Sequence, residues 1–192
     1  KEISVFTKQY IKRYPQSKQT PKCYTKLIET NEVLKLRPIV IENLTEMSKF
    51  CKQDKDDPTC FPEFHKVSLE ISKKWWDIWL KNKTNSEFSS LTEKAFENLL
   101  STENSAQPDS KSRYAFAELL FQQAKFQLAS QNYESVSLQP AIDKTLAHDS
   151  LYGALFSIEK ILEKQDTPAA VEKQKTLGLR YIKEFSNGEH LI

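Results

Sequence analysis

The chain has three histidines and three cysteines, the side chains that most often hold transition metals, and their spacing fits no common metal site. His65, His148 and His190 lie too far apart in sequence for two imidazoles to share one helical turn. Cys51, Cys60 and His65 lie closer together, but their spacing matches none of the usual zinc sites and no fourth ligand is evident. We therefore predict no metal ion and no cofactor.

A short acidic segment resembles the start of a calcium-binding loop. Asp54, Asp56 and Asp57 occupy the first positions of that pattern. The pattern also needs glycine at its sixth position and glutamate at its twelfth, where this chain has Thr59 and His65. A solvated acidic turn is therefore the simpler interpretation.

Glu159 and Glu163 lie one helical turn apart, as carboxylates of a diiron bundle do. No Glu-x-x-His sequence accompanies them, so we expect them to pair with Lys160 and Lys164 or with water. The serines, cysteines and histidines form no recognisable nucleophile arrangement either. The sequence nominates no catalytic residue, and we predict that the protein is not an enzyme.

Cys51 and Cys60 bracket a polar, proline-containing segment of the kind that turns between helices. A disulfide between them is sterically easy, and closing so short a loop would contribute less than ~3 kcal/mol of stability. Cys23 would remain unpaired. The alternative is that all three cysteines are reduced thiols in a cytosolic protein.

The location of the protein is left open by the sequence, with export slightly favoured over the cytoplasm. The chain begins at Lys1 and its only methionine is Met47, so we expect the initiator to have been removed, either with a signal or propeptide or by other trimming. The longest apolar runs are far shorter than the ~20 residues of a membrane span.

The three tryptophans, Trp75, Trp76 and Trp79, fall within five residues of one predicted helix. Its main apolar stripe, at about 100° per residue, contains Phe64, Val67, Ile71, Trp75, Ile78 and Trp79. A second apolar side contains Leu69, Trp76 and Leu80. Such a helix is usually buried on both sides, which predicts that Trp75 belongs to the core. The alternative is a partner site, with Trp76, Leu69 and Leu80 as its candidate residues.

The N-terminal end is basic although the whole chain carries a formal charge of only +2. Residues 1–26 contain seven Lys or Arg and one Glu, a formal +6. Lys8, Lys12 and Arg13 are candidate contacts to an acidic protein or, less favoured, to RNA or an anionic membrane. The simpler interpretation is that the basic side chains are solvated. The interleaved aromatics then pack inward, with Ile3, Phe6, Tyr10 and Tyr14 on one helical face.

Glycine occurs only three times, which disfavours tight hairpins, phosphate-binding loops and nucleophile elbows. Helical periodicity instead recurs along nearly the whole chain, broken by proline and by Ser, Thr, Asn and Asp clusters. Thr20-Pro21 and Thr167-Pro168 have the composition of helix starts, and Asn187-Gly188 that of a helix end. The predicted helices are 3–14, one starting after 20–21, 38–52, 62–82, 86–100, 111–132, 140–164 and 168–186. The helix over 38–52 has an apolar stripe of Val40, Leu44, Met47 and Cys51.

The fold class we predict is all-α, an irregular bundle of about seven to eight amphipathic helices that packs as one domain or as two subbundles. Residues 101–110 have linker composition and are the best candidate boundary between an N-terminal group, 1–100, and a C-terminal group, 111–192.

A short segment resembles one part of a known repeat. Residues 117–133 are similar to the end of the first helix of a tetratricopeptide unit and the turn after it, which we place at residues 130–134. The resemblance covers one partial unit and fails where Pro140 interrupts the second helix, so it assigns no family.

The function we predict is binding to another protein, as a subunit, an adaptor, or an inhibitor or immunity-type partner. Clustered aromatics, amphipathic helices and the lack of a catalytic signature favour this interpretation. One alternative is an exported helical effector or toxin-related protein that carries the Cys51–Cys60 disulfide. Another is a peripheral RNA- or membrane-binding module that uses the basic arm. The oligomeric state is not predicted.

Overall fold

The structure is a computed structural model that describes residues 2–53, 58–102 and 109–185. Over these residues it contains no strand, and the prediction of an all-α fold is confirmed. No helix in the described ranges is long and apolar enough to cross a membrane. The described residues form nine helices rather than seven or eight: α1 (Glu2–Arg13), α2 (Thr20–Val33), α3 (Arg37–Gln53), α4 (Cys60–Lys81), α5 (Ser86–Leu100), α6 (Ser110–Gln122), α7 (Phe126–Ser137), α8 (Lys144–Leu162) and α9 (Pro168–Glu184).

The chain divides into two compact units, residues 1–105 and residues 106–192. The first contains α1 to α5 and the second contains α6 to α9, and each has its own buried side chains. The predicted linker, 101–110, lies largely outside the described part of the chain, because residues 103–108 are not described. The assignment of 1–100 and 111–192 to separate domains stays a prediction.

The core of the N-terminal unit contains the predicted α3 stripe, which is fully buried: Val40, Leu44, Met47 and Cys51. A disulfide joins Cys51, near the end of α3, to Cys60, the first residue of α4, across a Cα–Cα distance of 5.4 Å. The predicted disulfide is therefore confirmed, and Cys23 is a free cysteine. The acidic segment between the two helices, 54–57, lies outside the described residues.

The tryptophan helix, α4, is fixed to α2 through a buried carboxylate. Trp75 Nε1 donates a hydrogen bond of 3.1 Å to Glu32 Oε2. Lys74 Nζ lies 2.8 Å from the other carboxylate oxygen, Oε1. Because Glu32 is only 7 % exposed, these two partners offset the cost of removing its charge from water.

Three side chains that were predicted to face inward are exposed instead, one on α4 and two at the N-terminal end. Ile78 is 36 % exposed, whereas its stripe neighbours Trp75 and Trp79 are buried. Val67 and Ile71 lie on the same side of α4 as Ile78 and are buried, so this side is covered in the middle of the helix and not at its last turn.

Phe6 is 70 % exposed, so the prediction that it packs inward from α1 is wrong. The side of α1 that faces the protein carries Thr7, which is buried, together with the half-buried Tyr10 and Ile11. Tyr14, beyond the helix end, is exposed as well. Because α1 packs mainly against α2, only one narrow face is covered, and a polar threonine lies within it.

The predicted helix 111–132 is in fact two helices, α6 and α7, separated by a turn at residues 123–125. Ala124 adopts a positive φ of 58°. Its N–H bonds to the carbonyl of Phe121, and the N–H of Lys125 bonds to the carbonyl of Leu120, which is the Schellman pattern. No glycine marks this helix end, so the break was missed in the sequence. The turn also lies earlier than the repeat resemblance placed it, since 130–134 belong to α7.

Two further helix starts differ from their predictions. α8 begins at Lys144 rather than Pro140, because the Asp143 carboxylate accepts bonds from the Thr145 and Leu146 N–H groups. In α2 the cap position belongs to Gln19 and has no side-chain bond.

The predicted cap of α9 is confirmed, since the Thr167 hydroxyl accepts a bond from the Ala170 N–H. The predicted end of that helix at Asn187-Gly188 lies outside the described residues.

Candidate binding site

A pocket of about 350 Å³ lies in the C-terminal unit, among α6, α7 and α8. It is within the size range of sites that hold a small ligand or a single side chain. Gln122, Asp149 and Tyr152 are exposed and Tyr133 is buried, so the pocket has an open side and a closed floor. Its lining residues are Tyr114, Glu118, Phe121, Gln122, Tyr133, Asp149, Tyr152, Gly153 and Phe156.

Helical spacing places the pocket residues on facing sides of α6 and α8. Tyr114, Glu118 and Phe121 recur at intervals of four and three residues along α6, so they share one face. Asp149, Tyr152 and Phe156 do the same along α8. α7 contributes Tyr133 between them.

Five aromatic rings form most of the wall, and they contact one another in three pairs. Phe121 and Phe156 stack with ring centroids 5.4 Å apart. Tyr152 and Phe156 are nearly parallel at 6.2 Å. Tyr114 meets Tyr133 edge to face at 5.5 Å. Through these ring contacts the walls of the pocket pack against one another.

Two carboxylates supply the charge of the pocket. Glu118 accepts a hydrogen bond from the Tyr133 phenol, which fixes one carboxylate oxygen near the floor. Asp149 lies at the open side, with its Oδ1 3.2 Å from His148 Nδ1. No lysine or arginine is among the lining residues that the structure describes. The wall is therefore aromatic and acidic.

The two phenols beside Glu118 remain neutral at physiological pH. Burial, followed by the negative charges of Glu118 and Asp149, raises the pKa of Tyr114 to about 12. Burial and the hydrogen bond to Glu118 raise the pKa of Tyr133 still further. Both phenols therefore keep their protons at neutral pH.

Trp76, Leu69 and Leu80 do lie on one side of α4, as their spacing predicts. Trp76 is half-buried, and its ring packs at 5.1 Å from Trp79 and edge to face at 6.0 Å from Phe96 of α5. Leu69 is half-buried too, and Leu80 is 42 % exposed. Trp76 thus contributes to the α4–α5 packing and exposes part of its ring, and its binding role stays a prediction.

Lys8, Lys12 and Arg13 are all exposed on α1, a different helix from the Trp76 group. The Arg13 guanidinium lies 5.7 Å from the centre of the Tyr14 ring. Their outer surface also carries Val5 and Phe6, both strongly exposed. Their contact with a partner stays a prediction as well.

The metal patterns of the sequence have no counterpart among the described residues, where no three His, Cys, Asp or Glu side chains are grouped as ligands. Cys51 and Cys60 are joined to each other. Glu163 pairs with Lys160, one of the partners expected from the sequence. Asp54, Asp56 and Asp57 lie outside the described residues.

The pocket was not predicted, although two features of the sequence point to it. Glu118 and Asp149 are carboxylates on otherwise apolar helical faces, and such positions often mark sites. Gly153 interrupts a helical pattern, which usually has a packing reason. The pocket also depends on three helices meeting, which helical spacing alone does not predict.

The pocket has an aromatic wall, two carboxylates and a volume that are typical of a binding site. No protein-family model matches the chain, and no curated protein matches it in sequence.

Proposed function

We propose that this chain is a non-catalytic helical protein that binds another protein, and that the pocket among α6, α7 and α8 is its main contact. The observation that carries the proposal is the pocket itself, a recess of about 350 Å³ walled by five aromatic rings. Aromatic side chains are enriched in binding hot spots because they bury a large area with few rotatable bonds.

The chemistry of the lining supports binding over catalysis. The phenols of Tyr114 and Tyr133 have raised pKa values, so neither serves as a base at neutral pH. Glu118 is hydrogen-bonded to Tyr133, an arrangement that orients the carboxylate. Rigid, neutral rings beside oriented charges suit the recognition of a partner group.

Trp76, Leu69 and Leu80 offer a second contact in the same proposal. Their partly exposed apolar surface on α4 would add buried area to a complex. We propose it as secondary, because the Trp76 ring already packs against Trp79 and Phe96.

The proposal is tested by co-purification from the native source with three versions of the tagged chain. The wild type and Leu179→Ala should retain the same partner, because Leu179 is exposed on α9 and outside the pocket. Tyr152→Ala, which removes an exposed ring from the pocket wall, should lose it. Retention of the partner by all three versions would contradict the proposal.

The disulfide favours a second proposal, that the protein is exported. Disulfides form and persist mainly in oxidising compartments, and Cys51–Cys60 is buried in the N-terminal unit. Thiol titration of the unreduced native protein in denaturant should find one free thiol, that of Cys23. Three titratable thiols would remove the main support for export.

A further inference from the structure

We propose that the pocket receives a basic side chain, lysine or arginine, of the partner protein. The inference rests on the proposed function, since it names the chemistry of the group that enters the same site. Its basis is the combination of acidic and aromatic lining among α6, α7 and α8.

Charge is the first argument. Glu118 and Asp149 place two carboxylates in the lining, and none of the nine described lining residues is basic. An anionic ligand would meet both negative charges with no partner of opposite sign in the wall. A neutral apolar ligand would displace water from Glu118 and Asp149 without replacing its hydrogen bonds. An ammonium or guanidinium group instead supplies donors for both carboxylates.

The aromatic rings are the second argument, because a ring face attracts a cation when the cation lies within about 6 Å of the ring centre. The C-terminal unit already contains this interaction twice. Lys160 Nζ lies 5.1 Å from the centre of the Phe156 ring, and Lys164 Nζ lies 4.9 Å from that of Phe126. Phe156 is itself a pocket residue, so its ring attracts a cation of the same chain.

Size and fixed geometry are the third argument. About 350 Å³ lies at the lower end of the volumes of ligand sites, so the pocket can admit one long side chain and is too small for a folded element. The Tyr133 phenol occupies one oxygen of Glu118, and a carboxylate has lone pairs left to accept from an entering cation. Asp149, at the open side, would contact the same cation or a residue next to it in the partner chain.

The test is a titration of the full chain with blocked amino acids, followed by amide chemical shifts in two-dimensional NMR. The probes are N-acetyl-lysine methylamide and N-acetyl-arginine methylamide. Two controls, the norleucine and glutamate analogues, match the lysine probe in backbone but are neutral or negative. Butylammonium serves as a free small amine.

We expect saturable shifts at α6 and α8 with the lysine or arginine probe, and none with the norleucine or glutamate probe. Asp149→Asn should weaken binding roughly fivefold, as expected for a partly exposed ion pair. Glu172→Gln, which alters an exposed carboxylate of α9 outside the pocket, should leave the affinity unchanged. Because Asp149 is exposed, its substitution should leave the packing of the pocket floor intact, and a loss of affinity then reports the lost charge.

Several results would overturn the inference. If the norleucine probe bound as tightly as the lysine probe, the pocket would select apolar groups. If the glutamate probe bound best, the charge argument would fail. If butylammonium bound more tightly than the blocked lysine, the site would serve a free amine rather than a side chain.

The inference and the proposed function can fail separately. If no basic probe binds while Tyr152→Ala still loses the partner, the pocket contacts the partner through another chemistry. The basic side chain is then wrong and the proposed function stands. If Tyr152→Ala retains the partner, the proposed function fails whatever the probes do.

Discussion

Gly153 of α8 lies directly against the ring of Tyr133 of α7. A Cβ atom built on this glycine would lie 3.0 Å from the Cε1 and Cζ atoms of the ring. Tyr133 in turn donates its phenol hydrogen bond to Glu118 of α6. The close approach at Gly153 therefore allows one tyrosine to connect three helices and to form the floor of the pocket.

The first prediction concerns this approach. Gly153→Ala should lower the free energy of unfolding by about 1–3 kcal/mol, since the added methyl overfills a packed position. Gly178→Ala is the matched control, because Gly178 is also helical and a Cβ there would have nothing within 4 Å. The control should gain up to about 1 kcal/mol from helix propensity. Denaturant unfolding measures both, and equal effects of the two substitutions would contradict the packing explanation.

The second prediction concerns the turn between α6 and α7. Ala124 has a φ of 58°, a conformation that costs an L-residue roughly 1 kcal/mol and costs glycine almost nothing. Ala124→Gly should therefore raise the free energy of unfolding by about 1 kcal/mol. Ala115→Gly, within α6, should lower it by a similar amount. If thermal or denaturant unfolding showed Ala124→Gly to be destabilising, α6 would not end as described.

The helix break at Ala124 shows how far the sequence could predict this fold. Periodicity predicted the all-α class, the buried α3 stripe and the bounds of α5, because each depends on residues close in sequence. The break at Ala124 was missed because a Schellman turn usually has glycine there. The α6–α7 turn is therefore visible only in the hydrogen bonds of the folded chain.

The site was less predictable than the fold for a related reason. Trp76 belongs to the tryptophan cluster from which a partner site is predicted, yet its ring also packs on a neighbouring helix. Tyr133 and Glu118 are separated in sequence by a turn where periodicity predicts continuous helix, so the sequence does not predict their contact. The predictions that Phe6 and Ile78 face inward are wrong for the same reason, since the neighbouring helix decides which face of a helix is covered.

The third prediction separates the adjacent tryptophans of α4. Trp75 is fully buried, so Trp75→Ala should cost about 3–5 kcal/mol and also remove a hydrogen bond from the buried Glu32. Trp76 is half-buried, so Trp76→Ala should cost less than half as much. Denaturant unfolding of the two variants gives the comparison. Equal losses would mean that Trp76 is as deeply packed as Trp75, and its role in binding would lose its support.

The fourth prediction concerns alkaline pH. The pKa of Tyr114 is raised to about 12 by burial and by nearby carboxylates, whereas an unfolded tyrosine has its ordinary value near 10. The protonated phenol is favoured in the folded state. Its contribution to stability is therefore fully present below pH ~10 and is lost as the pH rises through ~12.

Absorbance of phenolate in the folded protein tests this prediction. One ionisation near pH 12 should disappear in Tyr114→Phe, while the rest of the titration curve stays unchanged. If Tyr114→Phe instead removed an ionisation near pH 10, Tyr114 would not be held between the carboxylates as described.

The central claim is that the pocket of the C-terminal unit binds the partner protein, and its most direct test is the dissociation constant of the purified complex. Tyr152→Ala should weaken the complex by more than about thirtyfold, as loss of a hot-spot tyrosine does. Leu179→Ala, which truncates a solvent-exposed side chain outside the pocket, should change it by less than about twofold. Circular dichroism should show that both variants keep their helical content. Equal dissociation constants for the wild type and Tyr152→Ala would contradict the claim.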